Sequence, residues 1–133
     1  MRLVLKDYQR DAAVTLLRRI RQARTGLAED GTPQTIVFSS ATGSGKTVMA
    51  AAVLEALWAG GELALEASVT PDPEYTVLWL SDRPDLNQQT RRRLGEVSQT
   101  LTPERLPLIE STFDARTLEP GRAYFLNYQK LSR

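Results

Sequence analysis

The feature that most constrains this chain is residues 40–47, Ser-Ala-Thr-Gly-Ser-Gly-Lys-Thr, which separate two apolar segments. Upstream, Thr35 to Phe38 is β-branched and aromatic, which predicts a buried strand. Downstream, Lys46 to Trp58 is rich in Ala, Val, Leu and Met and contains no Gly or Pro, which predicts a buried helix. A strand, a Gly-rich turn, Gly-Lys-Thr and a helix in this order predict a phosphate-binding loop.

The residue types of this loop suit phosphate chemistry. Glycines let backbone N–H groups converge on a phosphate, and the helix N-terminus adds about half a positive charge there. We expect Lys46 to pair with the β- and γ-phosphates and the Thr47 hydroxyl to ligate Mg²⁺, so both would act in catalysis. The predicted nucleotide-binding residues of the loop are Ala41, Thr42, Gly43, Ser44, Gly45, Lys46 and Thr47. The alternative is a Gly-rich turn without a ligand, because Ser40 stands where the general pattern has glycine.

Composition narrows the class of protein. The 133 residues suffice for one domain, and the chain contains no Cys and no His. Disulfides, the usual zinc sites and a histidine base are therefore excluded. No apolar run approaches the roughly 20 residues that span a bilayer, and the N-terminus lacks a signal-peptide core. We expect a cytoplasmic protein without membrane contact.

The segments before and after the loop are predicted from their periodicity. A helix is predicted from Asp7, its N-cap, to Ala23, ended by Gly26 and followed by a polar loop at 28–33. Its arginines are interpreted as a solvated face. Residues 62–75 are acidic and predicted to be irregular. They are interpreted as a solvated insertion in preference to a docking loop for a partner.

The second half alternates strands with a helix. Strands are predicted at Thr76–Leu80 and Ala123–Leu126, with a weaker one at 106–110 and a helix at Asp85–Val97. Arg91, Arg92 and Arg93 point about 100° apart on this helix, so they cannot form one DNA-binding surface. The alternation predicts an α/β fold with a parallel sheet flanked by helices.

Four short motifs resemble those of superfamily 2 helicases and translocases. Residues 41–47, Ala-Thr-Gly-Ser-Gly-Lys-Thr, resemble motif I, and 5–9, Leu-Lys-Asp-Tyr-Gln, resemble the Leu-x-x-Tyr-Gln signature near the start of these proteins. In the family that Gln reads adenine, which a carboxamide can do by donating to N7 and accepting from the N6 amino group. The resemblance implies that Gln9 selects ATP over GTP. The alternative for Gln9 is an exposed polar residue in a first helical turn.

The other two motifs point to the restriction-enzyme branch. Residues 82–89, Asp-Arg-Pro-Asp-Leu-Asn-Gln-Gln, resemble motif Ia in the form typical of type I and type III restriction motors. Residues 127–131, Asn-Tyr-Gln-Lys-Leu, resemble motif Ib. The resemblance implies that Arg83, Asn127 and Gln129 contact a nucleic-acid backbone, DNA before RNA.

The resemblance also defines what this segment lacks. The family continues to an acidic box, Asp-Glu-x-His or Asp-Glu-x-Asp, and to a second RecA-like domain with arginine fingers, whereas this sequence contains no Asp-Glu pair. We therefore expect residues 1–133 to be the N-terminal portion of an incomplete RecA-like P-loop NTPase domain. The parent would couple ATP hydrolysis to movement on DNA, with a nuclease or methyltransferase partner left open. This chain alone would lack turnover.

The sequence leaves two other functions open. A non-catalytic P-loop remnant or interaction module would keep the fold without turnover. A P-loop kinase or transporter ATPase would need a lid or signature loop that the sequence does not show.

Overall fold

The computed structural model describes residues 1–40, 45–81, 83–109 and 118–127. It is a mixed helix and strand structure. Its elements in chain order are α1 (Asp7–Asp30), α2 (Lys46–Ala59), α3 (Glu62–Ala67), β1 (Val77–Ser81), α4 (Pro84–Val97), a 3₁₀ turn (Pro103–Arg105) and β2 (Ala123–Asn127). The predicted bounds of α2, α4 and both strands are therefore correct to within one residue at each end.

The two strands form a parallel sheet, as predicted from the alternation of elements. The register runs from Val77 opposite Ala123 to Ser81 opposite Asn127. The predicted strand at 106–110 is reduced, over its described residues, to a single bridge between Leu108 and Phe125. Phe125 N–H donates to the Pro107 carbonyl at 2.9 Å, and Ile109 N–H donates to the Phe125 carbonyl at 2.8 Å. Pro107 has no N–H to donate, which limits the pairing at this point.

Helix α2 lies at the centre of the core. One side packs with α1 and α3 in a cluster that includes Leu17 and Leu57. Another side packs with α4 and β2 in a cluster that includes Leu54, Leu94 and Phe125. Because α2 has neighbours on several sides, its apolar residues need no single stripe, and this explains its nearly uniform apolar sequence.

The segment Thr35–Phe38 is not a buried strand, and that prediction is wrong. It has no regular secondary structure, and the Val37 side chain is 85% exposed. A strand needs a neighbour to pair its backbone groups. In the described part of the chain β1 and β2 pair with each other, and no backbone hydrogen bond reaches residues 35–38.

Helix α1 does not end at Gly26, as predicted, but continues to Asp30, and its N-cap is Lys6 in place of Asp7. Gly31 has a left-handed φ of 74°, and its N–H donates to the Leu27 carbonyl. Glycine within a helix lowers its stability by only about 1 kcal/mol, whereas the left-handed position after the last turn strongly favours glycine. Gly31 is therefore the stop signal.

Residues 62–75 are more ordered than predicted, and the arginines of α1 are not simply solvated. The segment begins with α3, in which Ala64 and Ala67 are buried. Four arginines along α1 contact it. Arg10 pairs with Glu66, Arg18 and Arg21 donate to the Glu66 and Ser68 carbonyls, and Arg24 lies over the Tyr75 ring at 4.2 Å.

Candidate nucleotide and nucleic-acid site

The N-terminus of α2 is the described part of the predicted phosphate-binding loop. Gly45 precedes the helix with φ 86° and ψ 36°, a left-handed conformation that favours glycine. Its carbonyl accepts the first helical hydrogen bond from Met49 N–H at 3.0 Å. Lys46 and Thr47 are the first two residues of α2. The free N–H groups of a first helical turn attract anions, so this end of α2 is suited to a phosphate.

The Lys46 side chain is exposed at this helix end. Within the described residues its ammonium group has no ion-pair or hydrogen-bond partner, so its charge is available to a ligand. Thr47, the next residue, is half-buried. Ala41, Thr42, Gly43 and Ser44 lie outside the described residues. Their predicted contact with nucleotide stays a prediction.

Gln9 lies against this helix end. Its side chain is buried, and its Oε1 accepts a hydrogen bond from Lys6 N–H at 3.0 Å. A Cβ placed on Gly45 would overlap Gln9 Nε2. The structure thus brings Gln9 and Gly45 together although 35 positions separate them in the sequence. The view of Gln9 as an exposed polar residue is wrong.

The carboxyl ends of β1 and β2 meet at one edge of the sheet, where Ser81 and Asn127 are opposite each other. Arg83 follows β1 by two residues and is 63% exposed. Its guanidinium forms a two-point ion pair with Asp85, at 2.9 Å and 3.3 Å. Open α/β sheets usually bind ligands at this edge.

Of the three predicted nucleic-acid residues, Arg83 and Asn127 lie within the described structure and Gln129 does not. The structure brings the backbones of the Arg83 and Asn127 regions to the same edge of the sheet. Gln129 lies outside the described residues, as does Asp82, the first residue of the motif Ia resemblance. The nucleic-acid contacts of all three predicted residues stay predictions.

The three arginines of α4 have separate environments, as their angular spacing predicts. Arg91 donates to the carbonyls of Leu106 and Pro103, so it fastens the 3₁₀ turn to α4. Arg93 pairs with Glu96 at 3.5 Å, and Arg92 is exposed. They do not form one basic surface.

Asn87 is a residue at this edge that sequence reasoning did not single out. It is the fourth residue of α4 and is 4% exposed, and its Oδ1 has no hydrogen-bond partner among the residues that the structure describes. Buried polar atoms in native structures are nearly always paired. Its spacing to Leu94 and Val97 places it on the buried face of α4, a periodicity that was readable from the sequence.

Among the described residues, no group of three or more acidic or other metal-ligating side chains lies close enough together to hold a metal ion. No described helix is long and apolar enough to cross a membrane.

Comparison with known proteins gives one match. The family model of the type III restriction enzyme, res subunit, matches residues 2–133. No curated protein and no solved structure matches the chain. The match covers nearly the whole chain and agrees with the resemblance found from its motifs. It implies a RecA-like fold, of which the described residues contain only part. The chain belongs to the type III restriction enzyme res subunit family, a helicase superfamily 2 related family.

Proposed function

We propose that this chain forms the ATP-binding part of a restriction-type motor that moves on DNA. The observation that carries the proposal is the N-terminal end of α2. There left-handed Gly45 is followed at once by Lys46, which is exposed and has no partner among the described residues. A left-handed glycine opens the backbone at the helix start, and the lysine supplies a full positive charge beside the helix N-terminus. This arrangement favours the phosphates of a nucleotide.

Magnesium would enter with the nucleotide. Mg²⁺ usually keeps several waters and is held by one or two protein oxygens together with phosphate oxygens. The Thr47 hydroxyl, in the first turn of α2, is a suitable oxygen ligand. When bound, Mg²⁺ neutralises developing charge on the phosphates. This chain contributes the Thr47 oxygen, the Lys46 charge and the N–H groups of the helix end.

The DNA part of the proposal is supported by the family match and by the position of Arg83. Family members are described as restriction enzyme subunits, and restriction acts on DNA. Arg83 is exposed at the carboxyl edge of the sheet, where a phosphate could replace Asp85 as its partner. Arginine pairs with phosphate through two parallel N–H donors, as it does here with a carboxylate.

Turnover would need groups beyond those of this chain. Arginine fingers contribute about 10³ to 10⁵ in the rate of phosphoryl transfer. The sequence has no Asp-Glu pair to hold Mg²⁺ from its other side. We therefore propose binding by this chain, and hydrolysis by the complete motor.

The test is calorimetric binding of Mg²⁺–ATP to the wild-type chain and to Lys46→Ala. We expect the substitution to weaken binding at least about tenfold, because it removes a charge-assisted contact worth about 1.5–3 kcal/mol. Arg19→Ala is the matched control, since it removes an exposed cation from α1 and should leave binding unchanged. A folded wild-type chain that does not bind nucleotide would contradict the proposal and favour a non-catalytic interaction module.

A further inference from the structure

A cavity of about 710 Å³ lies beside the C-terminal half of α4. One face of α4, parts of the chain between Ser98 and Leu108, and Arg2 line it, and none of the residues assigned to nucleotide or nucleic acid does. Helix α4 begins just after the carboxyl end of β1 and is about 21 Å long, so its C-terminal half lies away from Arg83. The cavity is therefore separate from the sites proposed above.

The first feature of this cavity is an unpaired stretch of sheet edge at Leu108. Its two neighbours make the hydrogen bonds to Phe125, through the Pro107 carbonyl and the Ile109 N–H. In such a parallel bridge the N–H and C=O of the central residue point away from the partner strand. Within the described residues neither of these Leu108 groups has a partner. An edge of this kind can accept an extended peptide as an added strand.

The second feature is positive charge. Arg2 and Arg92 line the cavity and are exposed. Arg92 has no ion pair or hydrogen bond among the described residues, and Arg2 donates to the neutral Gly95 carbonyl at 3.4 Å, which leaves its charge uncompensated. Glu96 also lines the cavity, but it pairs with Arg93 at 3.5 Å. The lining therefore favours an acidic ligand.

The third feature is a glycine that keeps the cavity open. Gly95 lies within α4, where glycine is among the least favourable residues. A Cβ at this position would make only an ordinary contact, at 3.6 Å from the Leu101 carbonyl, so packing does not require glycine here. Its missing side chain preserves the space beside Leu101 and Leu106, two buried leucines of the lining.

We propose that this cavity, the α4 groove, binds an extended acidic segment of a partner protein. The segment adds a strand along Leu108, places carboxylates near Arg2 and Arg92, and covers the leucines with its apolar side chains. Nucleic acid would satisfy the arginines, but it has no peptide backbone to pair with Leu108. The inference goes beyond the proposed function and does not depend on nucleotide binding.

The experiment measures binding of a fluorescein-labelled, end-capped peptide, Glu-Val-Glu-Val-Glu-Val-Glu, by fluorescence anisotropy. We expect saturable binding to the wild-type chain. Arg92→Glu, which reverses an exposed charge, and Gly95→Leu, which fills the groove, should each weaken it at least about tenfold. Arg19→Glu is the matched control, because it makes the same charge change at an exposed site on α1 and should leave the affinity unchanged.

Strand addition is tested with two further peptides. Successive N–H groups of a strand point to opposite edges, so N-methylation of all valines and N-methylation of all glutamates block opposite edges of the peptide. We expect one methylated peptide to lose at least about tenfold in affinity and the other to bind as the parent peptide does.

Five outcomes would overturn the inference. The first is the absence of peptide binding by the folded wild-type chain. Equal binding of a Gln-Val peptide would remove the role of charge, and equal affinities of the two methylated peptides would exclude strand addition. Binding of oligothymidylate that both Arg92→Glu and Gly95→Leu abolish would assign the groove to nucleic acid. Binding of the peptide by this chain, but not by the complete motor, would show that the motor covers the groove itself.

Discussion

Arg91 and Arg83 lie eight residues apart and illustrate how far the role of a single charged residue depends on its surroundings. Arg91 donates to two carbonyls of the 3₁₀ turn region and is thereby committed to the fold. Arg83 is exposed, and within the described part of the chain its side chain pairs with its near neighbour Asp85. An exposed ion pair contributes at most about 1 kcal/mol and can exchange partners easily. At the scale of the residue, Arg83 is thus the arginine available to a ligand.

Asn87 gives a prediction at the same scale. Its buried Oδ1 has no hydrogen-bond partner within the described chain, and an unsatisfied buried polar group lowers stability by about 1–3 kcal/mol. We expect Asn87→Leu, which keeps the branching and the number of side-chain heavy atoms, to raise the free energy of unfolding by about 1 kcal/mol. Urea denaturation monitored by circular dichroism would measure the change.

The control for Asn87 is the next residue. Gln88 is exposed on the same helix, so Gln88→Leu should change the free energy of unfolding by less than about 0.5 kcal/mol. Destabilisation by Asn87→Leu would contradict the prediction and show that Oδ1 is hydrogen-bonded in solution, for example to a buried water.

At the scale of the element, helix α2 is stabilised by tertiary contacts more than by its own caps. Neither of its ends has a side-chain cap, and both flanking glycines have positive φ. Eight of its fourteen residues are buried. One charged residue in its middle, Glu55, organises the surrounding chain: its carboxylate accepts from the Met1 ammonium at 2.9 Å and from the Ser98 and Thr100 hydroxyls at 3.2 Å.

Glu55 therefore gives a prediction for the element. Glu55→Ala would leave these three donors without their acceptor, and Glu55 itself is only 17% exposed. We expect it to lower the free energy of unfolding by about 2 kcal/mol, measured by urea denaturation. Glu66→Ala is the matched control. Its ion pair with Arg10 is far more exposed, and such pairs contribute at most about 1 kcal/mol. Equal effects of the two substitutions would contradict the prediction.

At the scale of the whole molecule, apolar side chains are exposed on β1 and in the segment Thr35–Phe38. Parallel sheets are normally covered on both faces, yet Leu78 and Leu80 of β1 are about half exposed, at 50% and 49%. Thr35–Phe38 is largely apolar, has no regular secondary structure and is unpaired within the described structure. Unpaired backbone next to exposed apolar side chains favours self-association. The rest of a RecA-like sheet would cover these surfaces.

These exposed apolar side chains give a prediction for the isolated chain. We expect Val37→Lys to lower its tendency to self-associate at high concentration, measured by sedimentation velocity, with little change in stability because Val37 is 85% exposed. A charge on an edge opposes strand pairing. Thr25→Lys adds the same charge at an exposed site on α1, so an equal effect of the two variants would point to net charge alone.

The sequence by itself determined the family, the kind of fold and the local elements. Helix α2, helix α4 and both strands were predictable because their apolar patterns, Pro84 and the glycines around them act over short distances. The phosphate-binding loop was recognisable for the same reason, since its chemistry lies in consecutive residues. The buried position of Asn87 could be predicted from helical periodicity, but the absence of a partner for its Oδ1 among the described residues could not.

Only the tertiary structure decided which of these residues meet. Thr35–Phe38 has the composition of a buried strand, but burial requires neighbouring strands that the described chain does not supply. The arginines of α1 look solvated in sequence, and their contacts with α3 and Tyr75 arise only when distant segments pack. Gln9 bears the motif of a base reader, yet its engagement with Lys6 and Gly45 depends on how α1 lies against α2. Local pattern encodes what a residue can do, and packing selects the partner with which it does so.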